Sequence, residues 1–230
     1  MKNLFSLDSP AMRFFGEVFD LIVLNIITVV CCLPVFTAGA AMTAMHYVLF
    51  HKVNHQDEGV VKPFFKSFRE NFVQATIIWL VILAAAALVV ADIRIRNVSP
   101  ESFLGQGIGT FLLLPIIVIV CVFIYVFPIL SRFANTTLRT VANALVAALI
   151  YFPRTILMAA VLGSYVLALW NFPLRLTPLL ILFGFVFPWY ICARLYKKPL
   201  LDMEEKAVGA KEDAAEGKEE DTIEDQTEEE

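Results

Sequence analysis

The chain has 230 residues, of which 59 % are hydrophobic and only 17 % charged; soluble domains hold about 45–50 % apolar residues even with glycine counted, so a water-soluble globular domain is excluded. The formal net charge of −4 describes neither half of a divided molecule. Residues 1–198 carry 15 basic and 8 acidic side chains, whereas residues 199–230 carry 3 and 14, which predicts a membrane domain over 1–198 and an acidic, disordered cytoplasmic tail over 199–230.

Lys2 is followed by mixed polar and apolar residues, and Asp8, Arg13, Glu17 and Asp20 precede the first long apolar run. That run reads as a retained anchor and not as a cleaved signal. A hydrocarbon core of about 30 Å needs roughly 20 apolar residues in a helix. Five segments meet that length: Val18–Phe36, Phe72–Ala91, Ile108–Leu130, Thr155–Phe172 and Leu176–Ala193. Alternating short segments of the barrel type are missing. Pro34, Pro115, Pro128, Pro178 and Pro188 punctuate the spans and predict kinked or ended helices. The expected fold is therefore all-α: a polytopic helical membrane bundle of about five transmembrane helices plus interfacial amphipathic helices.

Three segments between the spans predict those further helices. Gly39–Val53 begins with small residues and ends with Tyr47, Leu49 and Phe50. Val60–Phe72 sets Phe64, Phe65, Phe68 and Phe72 among Lys62, Lys66, Arg69 and Glu70. Arg132–Ile150 has a polar stripe (Arg132, Thr136, Arg139, Thr140, Asn143) and an apolar one (Leu138, Val141, Leu145, Leu149). Such helices lie in the headgroup plane or pack on the bundle. Ser99 before Pro100 predicts a helix start, and Gly105, Gly107 and Gly109 a flexible entry to the third span.

Basic residues near span ends set orientation. With five spans, Lys52, Lys62, Lys66, Arg69, Arg132, Arg139, Arg154, Arg194, Lys197, Lys198 and Lys206 fall on one side; Lys2, Arg13, Arg94, Arg96 and Arg175 fall on the other. The richer side is expected to be cytoplasmic, with the amino terminus outside and the tail inside. A crossing by Gly39–Val53 or Arg132–Ile150 would change that parity.

Inside the first span lies a lone amide, Asn25, and after it the break Leu33-Pro34, Thr37, Gly39. Polar groups within a span usually face the bundle interior. Asn25 is expected to bond a neighbouring helix, Pro34 to end the first helix, Thr37 to cap the next and Gly39 to permit close packing. Glu17 and Asp20 share a face at the headgroup level. Unwound backbone at such a break also suits ion or substrate coordination, so Asp20, Asn25, Pro34, Thr37, Gly39 and Asn71 are the candidate structural or substrate-contact residues.

Other chemistry is not expected. His51 and His55 stand four apart but without the glutamate or further ligands of a zinc helix; the histidines are expected to titrate at a cytoplasmic helix end, with no metal site. Cys31, Cys32, Cys121 and Cys192 lie in apolar runs as small packing residues. No nucleophile with its base, no catalytic carboxylate pair and no phosphate loop is recognisable, which predicts no enzyme, no cofactor and no nucleic-acid partner.

The segment FFGEVFDLIVLNIITVVCCLPVFTAGAAMTAMHYV, with Gly16, Asp20, Asn25, Leu33-Pro34, Thr37, Gly39, Ala44 and Tyr47, resembles the amino-terminal signature of the YesL-like family of bacterial integral membrane proteins. Phe64–Trp79 (FFKSFRENFVQATIIW), with its Asn71-Phe72 entry, is similar to that family's second characteristic stretch. The resemblance implies a multi-pass protein of the bacterial cytoplasmic membrane with no established activity. Genes of the family often neighbour those of ABC-type carbohydrate uptake systems. The implied function is a non-enzymatic accessory of such a system, its partners the lipid bilayer and an ABC-type permease or another membrane protein. The alternative is a small transporter or channel subunit with a site near Asn25 and Pro34–Gly39.

Overall fold

The computed structural model describes residues 10–56, 59–98, 113–133, 135–171 and 184–228. Among these are eight α-helices and one 3-10 turn: α1 (Pro10–Cys32), the turn Val35–Thr37, α2 (Ala38–Val53), α3 (Val61–Glu70), α4 (Phe72–Val98), α5 (Leu113–Leu130), α6 (Thr137–Ile150), α7 (Phe152–Asn171) and α8 (Val186–Glu228). The all-helical expectation holds. Three helices are long and apolar enough to cross a membrane, over Phe14–Cys32, Phe72–Ala91 and Phe152–Asn171. The third and fifth expected spans fall partly outside the described residues, as do the Ser99-Pro100 start and the glycine triplet. What is described of those two spans is α5, whose apolar stretch is Pro115–Leu130, and the first turns of α8.

The bundle is organised around α2. Its small residues, Ala38, Gly39, Ala40, Ala41 and Ala44, allow backbones to approach closely. Met45, Val48, Leu49 and Phe50 then fill the wider spaces, and every residue from Ala38 to His51 except Tyr47 is buried. Of the two expected placements, in the headgroup plane or packed on the bundle, α2 takes the second. A helix with small side chains on every side has no polar face to offer water, so α1, α3, α4, α5 and α8 surround it.

Direction follows from the cross-links. α1 and α2 join at the break, and Lys52 near the end of α2 forms an ion pair with Asp20 at the middle of the longer α1. The two helices therefore run antiparallel, with Asp20 and Lys52 at one end of the bundle. The five-span expectation put these residues on opposite sides; it fails because α2 turns back beside α1. α8 runs alongside α2, since Tyr196 reaches His46 and the Lys197 Nζ donates to the Val53 carbonyl at 3.1 Å, where a cation also complements the helix C-terminus. Arg132, just beyond α5, sits over the Phe50 ring at 4.4 Å and bonds Glu204 through Nε at 2.9 Å. The Tyr151 hydroxyl donates to Asp202 at 2.8 Å.

These last contacts move the expected boundary at residue 199. α8 runs through Pro199 without ending. Leu200 is buried, and Asp202 and Glu204 are both bound to the bundle. The start of the acidic segment thus belongs to the packed domain, and the same helix carries on to Glu228.

The outer surface is apolar where lipid would meet it. Phe14, Phe15 and Phe19 on α1, Val73, Ile77, Val81 and Leu88 on α4, and Val166, Leu167 and Trp170 on α7 are all exposed. α6 shows the same logic in one helix. Its buried face is Thr140, Ala144, Ala147 and Ala148, while Leu138 and Leu149 are 83 % and 71 % exposed. The apolar stripe is divided: Val141 and Leu145 pack against the core, whereas Leu138 and Leu149 point outward, where lipid tails accept leucine as readily as a neighbouring helix does. α3 follows the water-soluble rule instead: Phe64 and Ser67 are buried, whereas Lys62, Lys66, Arg69, Val61 and Phe65 are exposed.

Candidate functional site

The break between α1 and α2 is a closed structure. Pro34 follows the end of α1 and leads into the turn Val35–Thr37. The end of a helix leaves carbonyls without amide donors. Here Thr37 supplies a donor: its Oγ1 lies 2.6 Å from the Cys31 carbonyl and 2.7 Å from that of Pro34. Thr37 was expected to cap α2, yet its side chain makes no bond to the α2 amides. It turns back and caps α1. The Trp79 indole Nε1 donates to the Val35 carbonyl at 2.7 Å, so α4 satisfies a further group of the turn.

Gly39 fixes how near α4 can come. A Cβ at this position would stand 2.5 Å from the Ala75 carbonyl oxygen and 2.6 Å from the Trp79 Cβ. Both atoms are held by α4 itself, so only glycine fits.

Asn25 is buried, and its Oδ1 accepts from the backbone amides of Phe185 and Val186, each at 3.3 Å. These are the donors that open α8, which have no partner inside their own helix. The expected interhelical bond is thus a cap supplied from another helix: an intramembrane amide on α1 seats the start of α8. Asn71 ends α3, where its Nδ2 donates to the Ser67 carbonyl at 3.1 Å. It borders a shallow polar hollow of about 640 Å³ with Tyr47, Gln74 and Asn135.

Asp20 alone of the candidates lines a recess of about 740 Å³, bounded by Gly16, Glu17, Asp20, Leu21, Lys52, His55 and Tyr190. His55 owes its place to the end of α2. The amide of Gln56 bonds the His51 carbonyl and that of His55 the Lys52 carbonyl, both at 3.0 Å. This is a Schellman closure, and it needs a left-handed residue; His55 takes that role at φ +58°. Beside the recess and sharing Glu17, Leu21 and Tyr190 is an apolar cleft of about 340 Å³ between α1 and α8, completed by Phe14, Val18, Val186, Phe187 and Arg194. The Arg194 guanidinium lies 5.0 Å from the centre of the Tyr190 ring and donates to its hydroxyl at 3.1 Å.

His46 is placed quite differently from the expected exposed helix end. It is fully buried, its Nδ1 lies 3.0 Å from the Tyr196 hydroxyl, and its ring meets Trp189 perpendicularly at 4.7 Å. Which group donates depends on the tautomer of the ring, and Nε2 is buried with no hydrogen-bond partner among the described residues. Sequence reasoning missed this pair because 150 residues separate its members. It missed the recess for the same reason: Tyr190 joins Glu17, Asp20 and Lys52 only once α8 lies along α1. Among the described residues, no group of three or more His, Cys, Asp or Glu side chains is placed to hold a metal ion.

A family model described as a protein of unknown function, DUF624, matches residues 21–93. The matched stretch contains Asn25, the break, the whole of α2 and α3, and the Ala75 and Trp79 contacts that fit Gly39. Neither the curated proteins nor the solved structures contain a match to this chain.

Proposed function

We propose that the protein is a multi-pass component of the bacterial cytoplasmic membrane, of the YesL-like kind, acting as a non-enzymatic accessory to an ABC-type carbohydrate uptake system. The observation that carries the accessory reading is what the polar groups at the break are used for. Asn25 caps α8, Thr37 caps α1, Trp79 bonds the turn, and Gly39 is pressed against α4. A transport site would hold such groups toward a cavity; here they bond the bundle itself. Extended apolar faces on α1, α4 and α7 suit lipid and a membrane partner. The carbohydrate link comes from the family resemblance.

The orientation that goes with this reading places the end holding Lys52, Arg132 and Lys197 in the cytoplasm. The start of α1 and the acidic extension of α8 then face the same side, because Asp20 pairs with Lys52.

Two experiments separate this from a small transporter or channel subunit. Affinity purification from cells growing on a range of glycans should recover an ABC-type permease. Purified protein in liposomes should move neither sugar nor ion. Flux that disappears in Asn25→Ala would replace the accessory reading with the transporter reading. A deletion strain that grows normally on every glycan tested would remove the carbohydrate link.

A further inference from the structure

We infer that the crevice between α1 and α8 is a binding site for one zwitterionic phospholipid, with an acyl chain in the apolar cleft and the headgroup in the adjoining recess. The juxtaposition that points to this is the continuity of two unlike spaces. The cleft of about 340 Å³ is walled by Phe14, Val18, Leu21, Val186 and Phe187. At the level of Glu17 and Tyr190 it opens into the polar recess of about 740 Å³. The two spaces lie side by side along the same turns of α1; on α8 the cleft runs from Val186, beside Asn25, to Arg194, and the recess next to it holds the Asp20–Lys52 pair. An amphiphile inserted from the bilayer can lay its chain on the apolar wall near Val186 and its headgroup against Arg194, Glu17 and the recess. Volumes of this size belong to the range of small-molecule sites.

The charges select the headgroup. Lys52 is neutralised by Asp20 across the recess. What remain are the Glu17 carboxylate, which lines both spaces, and the Arg194 guanidinium, which lines the cleft beside Tyr190. Arg194 spends one donor on the Tyr190 hydroxyl, and a guanidinium has five in a fork suited to phosphate. Glu17 is acceptor-only and suits an ammonium. A headgroup with phosphate and ammonium a few bonds apart satisfies both, whereas an anionic headgroup leaves Glu17 facing like charge.

The site is independent of the carbohydrate reading, and its test does not use growth or flux. Purified full-length protein in neutral detergent is titrated with phosphatidylethanolamine, with phosphatidylglycerol of the same chains, and with phosphoethanolamine alone, and bound ligand is read by native mass spectrometry. Phosphatidylethanolamine should be retained as a single copy, about tenfold more tightly than phosphatidylglycerol, as expected for one charge-assisted contact. Phosphoethanolamine should not be retained at the same concentration. Glu17→Gln and Arg194→Gln, both at exposed side chains, should each weaken retention about tenfold. Leu21→Trp should fill the cleft and abolish it. Each variant's melting temperature in lipid-free detergent shows whether the fold is intact. Equal retention of the two lipids, retention of the free headgroup, or unchanged binding in both charge variants would overturn the assignment.

Discussion

Two helices in this chain follow a proline-bearing span end, and they finish in opposite places. α2, after Pro34, is enclosed by its neighbours on nearly every face. α6, after Pro128, is buried only along Thr140, Ala144, Ala147 and Ala148 and turns Leu138 and Leu149 outward. Both read as amphipathic or interfacial from their hydrophobic residues. What separates them is where the small residues lie: around the whole first half of α2, but along one stripe of α6. In a lipid solvent the contrast between inside and outside is one of size and hydrogen bonding, since apolar side chains are at home on both sides of the boundary.

That comparison is broken most severely by adding volume to the α2 interface. Gly39→Ala would place a methyl against backbone atoms of α4 that cannot yield. A loss of about 3 kcal/mol or more is expected, read as a large fall in the thermal midpoint in detergent or as failure to accumulate. An intact Gly39→Ala protein of native stability would mean that α2 and α4 are not in close contact.

The cap on α8 comes next. Asn25→Ala leaves the Phe185 and Val186 amides without their acceptor and should cost about 1–3 kcal/mol. Hydrogen exchange should rise at the start of α8 before it rises in α2.

A third test is the buried pair of His46 and Tyr196. Tyr196→Phe removes the hydroxyl 3.0 Å from Nδ1 and should cost about 1–2 kcal/mol, read as a fall in the thermal midpoint in detergent.

The smallest effect sharpens the comparison from the other side. Leu138→Ala on α6 removes a side chain that touches little protein and should change stability in detergent by less than about 0.5 kcal/mol. Ala144→Leu, six residues further and on the buried face, should cost about 1–3 kcal/mol.

Much of the fold was legible in the sequence because bilayer thickness dictates helix length. The second span has the expected bounds, Phe72–Ala91, and α2 and α3 lie within a residue or two of the segments expected for them. The roles of Asn25 and Gly39 were also legible in kind: an amide inside a span needs a partner, and a glycine among alanines marks close approach. Direction was not legible. Thr37 has two helix ends within reach, and local pattern does not say which it serves. The return of α2 beside α1, the His46–Tyr196 pair and the crevice shared by α1 and α8 all depend on contacts between distant segments. The Asp20–Lys52 pair is the plainest case, since span parity separated two residues that the bundle brings together.

The central claim is that the Pro34–Gly39 break is a sealed joint in the bundle. The most direct test is the accessibility of that joint in the membrane. In a background with Cys31, Cys32, Cys121 and Cys192 replaced by alanine, a cysteine at Thr37 or Ala40, both buried, is challenged with a small membrane-impermeant thiol reagent from each side of oriented vesicles. A cysteine at Lys62, which is exposed, is the reference. Both joint positions should stay unmodified from either side while Lys62→Cys reacts. Reaction at Thr37→Cys or Ala40→Cys as fast as at the reference would reveal a water-filled path to the break and contradict the account.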